Sequence, residues 1–265
     1  MNNIVNFSII TVSYNAKSEL QKTINSVQEQ SYKFFSHVIK DGFSNDKTNK
    51  MDFSKYKNTK FYLSQDKGVY DAMNQAFKLA NNEYIIFLNA GDIFYSKDSL
   101  KKLALNINNN PNFNAYSGGT IQININEQRL KRIIGIGKLY KYLPLAQLPH
   151  PSFVVKKSIL SKLKKPFDSE LKIASDYKQQ LILRKNNLWK TCYLNQIISI
   201  MPTGGISTLN KDSIILGYKE TFFFSSKIYK YFVPYILFLK IILNIYSRLK
   251  VFKFNKTKIN YDKFK

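Results

Sequence analysis

The sequence predicts an α/β fold, in which a mainly parallel sheet carries helices on both faces and is followed by a helical carboxyl-terminal extension. Three observations predict it. The first hundred residues hold four short apolar segments of strand length, segments between them repeat apolar residues at helical spacing, and the end of the chain is apolar, aromatic and basic. Apolar strands alternating with amphipathic helices are typical of a parallel sheet buried on both faces.

The predicted elements of the first hundred residues follow the order β-α-β-β-α-β. The expected strands are residues 7–12, 37–40, 61–63 and 84–88. The first helix should run to Gln30, with Asn15 or Ser18 as its cap, and the second should cover residues 72–80. Ligands bind beyond the carboxyl ends of the strands in such sheets, so the loops after the strands should carry the chemistry.

Length and composition exclude several classes of protein. A chain of 265 residues with 44% hydrophobic residues can build one large domain or a domain with an appendage, so global disorder is excluded. Cys192 is the single cysteine, which excludes a disulfide scaffold and a cysteine-based zinc site and fits a reducing compartment. The first residues lack the basic and apolar segments of a signal peptide, so no export signal is expected.

The charge of the chain is strongly uneven. The formal net charge is +24, yet the first hundred residues are almost balanced, with 12 basic and 10 acidic residues. The excess of lysine and arginine lies in the rest of the chain, where many lysines belong to Lys/Asn-rich stretches typical of a solvated surface. No zinc finger, helix-turn-helix or RNP-like motif is visible, so a nucleic-acid partner is not expected.

Three polar loops follow predicted strands. They are residues 11–15, 41–46 and 89–92. Asn, Asp, Ser and Gly are also what ordinary turns contain, so any one of these loops alone could be only a turn. Three such loops in step with the strands favour a binding site at one edge of the sheet.

Four stretches of the sequence resemble one enzyme family. They read ITVSYN (10–15), KDGFSNDKT (40–48), QDKGVYDAMN (65–74) and FLNAGD (87–92). In order and content they resemble the nucleotide-sugar domain of the family 2 glycosyltransferases, which have the Rossmann-like GT-A fold. Within that family the chain looks most like the bacterial enzymes that build exopolysaccharide, capsule or O-antigen repeat units.

The resemblance implies a donor pocket at the strand ends. Thr11 and Asp41 would contact the nucleobase and ribose of a nucleotide sugar. Asp66, Gly68 and Asp71 would line the pocket, since a glycine lets the backbone approach the ligand. The residues beside them would be Tyr14, Tyr70 and Asn74.

The resemblance also implies a divalent metal ion. Residues 89–92 occupy the place of the family's Asp-x-Asp motif, but Asn89 and Gly91 stand where acids are commonest. Asp92 is then the one carboxylate left to hold Mg²⁺ or Mn²⁺ against the diphosphate, and Mg²⁺ needs few protein carboxylates. The alternative is that Asp92 caps a helix beginning near Ser96.

The second half of the chain carries two candidate catalytic residues. Similar enzymes have a histidine in a segment such as residues 148–155 and a general base in one such as residues 172–177, which implies roles for His150 and Asp176. A carboxylate at a helix start is stabilised in its ionised form and could take a hydroxyl proton. The alternatives are a first-turn acid and a loop histidine that play no part in catalysis.

These features predict an inverting glycosyltransferase. It would use a nucleotide-diphosphate sugar, a UDP-sugar in the first instance, and a glycan or polyprenyl-diphosphate-linked acceptor. Two other functions stay open: a GT-A-fold protein that binds an anionic polymer without catalysis, and a nucleotidyltransferase. The second is disfavoured because no Gly-rich phosphate loop follows the first strand.

The end of the chain predicts a membrane-associated tail. Residues 231–243 form an apolar run of 13 residues that contains Pro234 and Lys240, which is short of the ~20 residues that cross a bilayer. An amphipathic helix in the membrane interface fits this pattern, and a helix pair packed on the catalytic domain is the alternative. The protein would then be cytoplasmic and peripheral on the inner face of the membrane.

The predicted organisation has three parts. Residues 1–110 would form the nucleotide-sugar half, residues 111–215 the acceptor half, and residues 216–265 the basic, aromatic tail.

Overall fold

The computed structural model describes residues 3–205 and 210–254. The strands are β1 (Phe7–Ser13), β2 (Phe35–Asp41), β3 (Thr59–Leu63), β4 (Tyr84–Phe87), β5 (Ile93–Phe94), β6 (Ala115–Asn124), β7 (Arg129–Ile134), β8 (Phe153–Lys156) and β9 (Thr191–Pro202). The α-helices are α1 (Lys17–Gln28), α2 (Val69–Leu79), α3 (Ser99–Asn109), α4 (Lys138–Tyr142), α5 (Lys157–Leu160), α6 (Ser175–Lys185), α7 (Lys211–Ile228) and α8 (Val233–Leu249). The predicted order β-α-β-β-α-β up to β4 is confirmed.

Nine strands within the described ranges form one mixed sheet. Their order is β3-β2-β1-β4-β8-β6-β9-β5, and β7 pairs with β6. Strands β1 to β4 are mutually parallel, β6 is parallel to β9, and β8 is antiparallel to both of its neighbours. The predicted mixed, mainly parallel sheet is therefore confirmed.

Helices cover both faces of this sheet. Alternate residues of a strand point to opposite faces, so Ile9 packs in one core with Val27 of α1 and Leu103 of α3. Ile10, its neighbour in β1, packs in the other core with Met73 of α2. The run of apolar residues in β1 is thus explained by burial on both sides.

One antiparallel strand determines where the second half of the chain meets the first. The parallel strands β1 to β4 all end at the same edge of the sheet. Strand β8 runs the other way beside β4, with Ile86 opposite Val154 and Tyr84 opposite Lys156. The short 3₁₀ turn His150–Ser152, which precedes β8, therefore lies at the edge where β4 ends.

The helix caps differ from the prediction. The N-cap of α1 is Ala16, whose side chain cannot cap, and neither Asn15 nor Ser18 takes that role. The carboxylate of Asp46 instead accepts the amide of Lys17 at 2.7 Å. The side chain of Asn15 is engaged elsewhere, because its Oδ1 accepts the backbone amide of residue 45. The helix ends at Gln28, two residues earlier than predicted.

The helix after residue 92 also begins later than predicted. Strand β5 follows residue 92 directly, and α3 begins at Ser99 with Asp98 at its N-cap. The structure therefore contradicts the alternative that Asp92 caps the following helix.

The carboxyl-terminal extension packs on the rest of the protein. Helix α7 contacts α6 and α8, and α8 contacts β7. Among the described residues, the segment Lys230–Phe252 is the helical stretch long and apolar enough to cross a membrane, judged by length and composition, and 28% of its apolar window is buried in the protein. The predicted helical extension is thus present as a pair of helices in contact with the sheet domain.

We predict that His37 makes the fold acid-sensitive. His37 is fully buried, and burial lowers its pKa to about 3. The hydroxyl of Thr11 gives its hydrogen to the carbonyl of Leu88, so Nε2 of His37 donates to that hydroxyl at 2.9 Å and Nδ1 is left without a partner. Below pH 6.5 His37 becomes protonated in the unfolded chain but stays neutral in the native state. The free energy of unfolding should therefore fall by up to about 1.4 kcal/mol for each unit by which the pH is lowered.

The measurement is the free energy of unfolding by denaturant between pH 6.5 and pH 4.5, for the wild type and for His37→Gln. The glutamine keeps a donor near Thr11 and cannot titrate, so the wild-type curve should be the steeper one. Parallel curves would contradict the prediction.

Candidate active site

The loops after β1 and β2 are tied to one another by polar side chains. The carboxylate of Asp41 is fully buried and accepts both the amide and the hydroxyl of Ser44, at 2.8 and 2.6 Å. The same hydroxyl accepts the backbone amide of Asn15 at 2.7 Å. We predicted that Asp41 contacts the nucleoside. In the structure both of its oxygens bind Ser44 and shape the loop at the carboxyl ends of β1 and β2, the edge of the sheet named here the donor edge.

A tyrosine, a glycine and an acid meet at this edge. A Cβ placed on Gly42 would lie 2.7 Å from Oδ2 of Asp66 and 3.2 Å from the ring of Tyr14, so only glycine fits between them. The ring of Tyr14 is 63% exposed, which leaves it open for stacking against a planar group. Asp66 is in turn paired with the buried ammonium of Lys40.

The start of α2 continues the same surface. The amide of Gly68 donates to Oδ1 of Asp66 at 3.0 Å, and that of Lys67 donates to Asp71 at 3.0 Å. Gly68 has φ of +124°, and no atom lies within 4 Å of where its Cβ would be. The backbone here is open, and the pocket-wall role of Gly68 stays a prediction.

Two predicted donor residues are engaged inside the protein. Thr11 is fully buried, with its hydroxyl bonded to Leu88 and His37. Asn74 is also buried, and its side-chain amide makes a pair of hydrogen bonds, at 2.8 and 3.0 Å, with the backbone of Phe167. The structure therefore gives Thr11 a role in holding the sheet and Asn74 a role in holding the segment around Phe167.

Among the described residues, the loop after β4 carries an amide oxygen without a hydrogen-bond partner and a carboxylate without a cation beside it. Gly91, with φ of +98°, donates its amide to the hydroxyl of Thr23 at 3.0 Å, which fixes the turn against α1. Oδ1 of Asn89 is buried and has no hydrogen-bond partner among the described residues. In the described part of the chain, each ion pair involves an acid other than Asp92. No basic side chain therefore pairs with the carboxylate of Asp92 there.

Burial raises the pKa of Asp92 to about 8, against a smaller opposing effect of a hydrogen bond from the backbone of Asn89. The half-buried carboxylate of Asp92 and the unpartnered amide oxygen of Asn89 are the hard oxygen donors that Mg²⁺ and Mn²⁺ prefer. Among the described residues no group of three or more His, Cys, Asp or Glu side chains could hold a metal by itself. The residues present therefore fit a divalent ion that takes its remaining ligands from a diphosphate and water.

An aromatic cluster connects the two halves of the site. The ring of His150 stacks on Phe87 with centroids 5.3 Å apart and meets Phe167 edge-on at 5.7 Å. Tyr70 stacks on the other side of Phe167 at 5.8 Å. Phe87 ends β4 and Tyr70 belongs to α2, so the cluster joins the donor edge to the segments that carry the predicted catalytic residues.

Within this cluster His150 is a neutral imidazole. Burial lowers its pKa, while the charge of Asp176 acts in the opposite direction. Its Nε2 is buried without a hydrogen-bond partner among the described residues. A buried polar atom without a partner is available to a ligand that reaches it.

Asp176 lies in the first turn of α6, as the sequence predicts. The amide of Gln147 is 3.4 Å from its Oδ2, a long contact that leaves most of the carboxylate available. Its charge also influences Tyr70 and Lys240, so these side chains share one electrostatic environment. The structure thus brings Asp176 and His150 together beside the end of β4.

Sequence reasoning missed several residues that build the site. They are Lys40, Gly42, Ser44, Gln147, Glu220 and Lys240. A signal existed for Lys40, because a lysine inside an apolar strand next to an aspartate needs a buried partner. Gln147 carried no such signal, since its partner Asp176 is distant in sequence, whereas Ser44 lies only three residues from its partner Asp41.

The arrangement can hold an anionic leaving group and take a proton from a nucleophile. Asn89 and Asp92 stand at one side, with exposed Tyr14 and the open backbone at Gly68 along the same edge. Asp176 can act as a base beside the neutral His150.

Comparisons with known proteins agree with this arrangement. A model of the family described as Glycosyl transferase family 2 matches residues 8–164. The PGL/p-HBAD biosynthesis glycosyltransferase of Mycobacterium bovis is 25% identical over 217 residues, which cover 79% of this chain and 82% of that protein.

Two solved structures share the fold. S. aureus TarS 1–349 in complex with UDP-GlcNAc has a TM-score of 0.64 at 18% identity, and the match covers 83% of this chain and 66% of that one, slightly less than two thirds of it. Mannosyltransferase PcManGT from Pyrobaculum calidifontis, in complex with GDP-Man and Mn²⁺, has a TM-score of 0.63 at 14% identity, covering 94% and 73%. These likenesses show a GT-A fold with a carboxyl-terminal helical extension. Because the family model covers more than half of the chain, this protein belongs to glycosyl transferase family 2.

Proposed function

We propose that this protein is an inverting glycosyltransferase that moves a sugar from a UDP-sugar to a hydroxyl of a glycan or polyprenyl-diphosphate-linked acceptor in bacterial surface polysaccharide synthesis. The observation that carries the proposal is the position of His150, which stacks on Phe87 at the end of the strand that leads to Asp92 and lies within the field of the Asp176 charge. The family membership and a TarS neighbour bound to UDP-GlcNAc support the donor class.

The donor half, residues 1–110, binds the nucleotide along the ends of β1, β2 and β3. Exposed Tyr14 stacks on the base, and the loop shaped by Asp41 and Ser44 contacts the ribose. The wall at Asp66, Gly68 and Asp71 faces the sugar. Thr11 and Asn74 act indirectly, by holding the sheet and the segment around residue 167 in place.

Asn89 and Asp92 would hold a divalent ion, which would supply positive charge against the diphosphate. Because a nucleoside diphosphate is a good leaving group once neutralised, the protein has little covalent work to do. Gly91 contributes the tight turn that presents the two oxygen ligands.

The acceptor half, residues 111–215, supplies the base. Asp176 takes the proton of the acceptor hydroxyl as its oxygen attacks the anomeric carbon from the face opposite the nucleotide. The bond from that carbon to the diphosphate oxygen breaks, and the electron pair leaves with the nucleotide, so the anomeric configuration inverts. Nε2 of His150 completes its hydrogen bonding with the acceptor.

The tail, residues 216–265, seats the protein on the inner face of the cytoplasmic membrane. On α8 the exposed apolar side chains recur at helical spacing and form one stripe, named here the bare stripe. It consists of Phe238, Ile241, Ile242, Ile245 and Leu249. The basic side chains Lys227 of α7, Lys230 of the turn between the two helices and Arg248 of α8 are exposed, and they suit anionic lipid.

We predict that Asp176→Asn strongly lowers turnover and spares donor binding. Loss of a general base lowers turnover by about 10²–10⁴-fold, while the donor contacts lie elsewhere. The assay first incubates the wild type with UDP-, GDP- and dTDP-sugars and measures release of the nucleoside diphosphate, with and without acceptor. Transfer and the dissociation constant of the selected donor are then measured for the variant.

Asp212→Asn is the matched control, because Asp212 is an exposed first-turn acid of another helix. It should behave as the wild type. Wild-type turnover of Asp176→Asn would contradict the base assignment. Incorporation of a nucleoside monophosphate would favour the nucleotidyltransferase, and donor binding without any product would favour the non-catalytic alternative.

We predict that Asp92→Asn stabilises the metal-free protein at high pH and removes its response to metal. With its pKa raised to about 8, Asp92 keeps its proton in the native state over a range in which the unfolded chain has lost it. Its ionisation therefore opposes folding increasingly as pH rises from about 4 to about 8. The melting temperature of the variant should exceed that of the wild type at pH 8.5 and match it near pH 4.

The same melting experiment at pH 8.5 tests the metal. Mn²⁺ together with UDP should raise the melting temperature of the wild type and leave that of the variant unchanged. Full transfer activity of the wild type in excess EDTA, or equal metal responses of the two proteins, would count against a metal at Asp92.

We predict that the bare stripe carries membrane binding. We test the triple variant Phe238→Ser, Ile241→Ser, Ile245→Ser with vesicles that contain 30% phosphatidylglycerol. Its affinity for the vesicles, measured by sedimentation, should be at least about tenfold lower than that of the wild type, because burying each apolar side chain contributes about 1.5–3 kcal/mol of binding free energy. Leu105→Ser, an exposed leucine on α3, is the control and should sediment normally. Equal sedimentation of the triple variant and the control would show that the stripe does not bind lipid.

A further inference from the structure

Helix α6 begins without a cap of its own. Its N-cap residue is Ala174, whose methyl group accepts no hydrogen bond. The first amides of a helix and those leading into it need acceptors, and a helix start without them is less stable. This start matters because Asp176 lies in the first turn.

A glutamate from α7 supplies the missing acceptor. Oε1 of Glu220 accepts the amide of Lys172 at 2.7 Å, and Oε2 accepts the amides of Ile173 and Ala174 at 3.0 and 2.9 Å. Glu220 is 8% exposed, so these charge-assisted bonds are shielded from water. Three consecutive amides bound to one carboxylate fix the direction in which α6 begins.

The same segment is held from the donor side. The hydroxyl of Tyr70, in α2, donates to the carbonyl of Ile173 at 2.6 Å. Burial first, and then the charge of Asp176, raise the pKa of Tyr70, so that hydroxyl keeps its proton. The amide and the carbonyl of Ile173 are therefore gripped by two different helices, three residues before Asp176.

Helix α8 binds α7 at the residues that flank the glutamate. The ammonium of Lys240 donates to the hydroxyl of Thr221 at 2.7 Å and to the carbonyl of Gly217 at 3.0 Å, on either side of Glu220 in α7. The charges of Asp176 and Glu220 both act on Lys240. One lysine thus lies within the field of both acids.

We infer that Glu220 is a positioning residue, which sets the start of α6 so that Asp176 meets the acceptor hydroxyl and makes α7 part of the active site. The inference rests on the proposed role of Asp176 as the base. Glu220 touches neither substrate in this scheme, and it acts through the backbone of residues 172–174.

The test is a double-mutant cycle with Glu220→Gln and Asp176→Asn. Glutamine has one acceptor oxygen and brings an amide against a backbone N–H, so the start of α6 should shift. We expect kcat for transfer to fall by about 10–100-fold, as for a small misplacement of a catalytic group, with the dissociation constant of the donor within about twofold of wild type. In the Asp176→Asn background the same change should alter the residual kcat by less than about twofold.

The matched control is Gln30→Ala, a buried side chain that accepts the amide of Leu100 at the start of α3. It should lower the melting temperature and leave kcat unchanged. Tyr70→Phe is the second variant, used if Glu220→Gln does not fold. It removes the bond to Ile173, keeps the ring, and should show the same dependence on Asp176.

The outcomes separate the inference from the proposed function. An equal loss of kcat in both backgrounds would mean that Glu220 acts on folding alone, which overturns the inference. Wild-type turnover of Asp176→Asn would overturn the base assignment and the inference together. A loss confined to the background with Asp176 intact supports both.

Discussion

The antiparallel pairing of β8 with β4 is the interaction on which the site depends. Strand β4 delivers residues 89–92 to the donor edge, and an antiparallel neighbour must begin at that same edge. The turn that holds His150 therefore stands beside the turn that holds Asp92. A parallel β8 would carry His150 to the opposite edge, roughly 13 Å away for a strand of four residues.

Some acids of the site are bonded to other groups of the fold, and the remaining acids are available for chemistry. Asp41 is satisfied by Ser44, and Asp66 by Lys40, so these acids shape the pocket. Asp92 has no cation beside it in the described part of the chain, and Asp176 has one long contact to an amide. Acids that the fold leaves unsatisfied cost stability, so the ones that remain are the natural candidates for ligand and base.

The strands and helices of the first half of the chain could be predicted from the sequence, and little of the second half could. Apolar segments with polar ends predicted β1 to β4 and the helix bearing Asp71, because burial on both faces leaves a local pattern. The cap of α1 by Asp46 and the contact of Glu220 with residues 172–174 could not be predicted, since each joins a side chain to the backbone of a distant segment. The contact of Asp41 with the nucleoside stays a prediction, and the folded loop adds that the two oxygens of Asp41 accept the amide and the hydroxyl of Ser44.

Helix α8 has two apolar faces, and this explains how the tail can serve the site and a surface together. Ile236 and Leu239 face inward with Phe224 of α7, while the bare stripe faces out. Crossing a bilayer would strip the inner face from its partners and expose the bonds of Lys240 to α7 in hydrocarbon, at a cost of several kcal/mol. Lying flat keeps them intact. In the proposed orientation the helices that contact the segment before Asp176 would also be those nearest the lipid, so an acceptor anchored in the membrane would approach the proposed base along that surface.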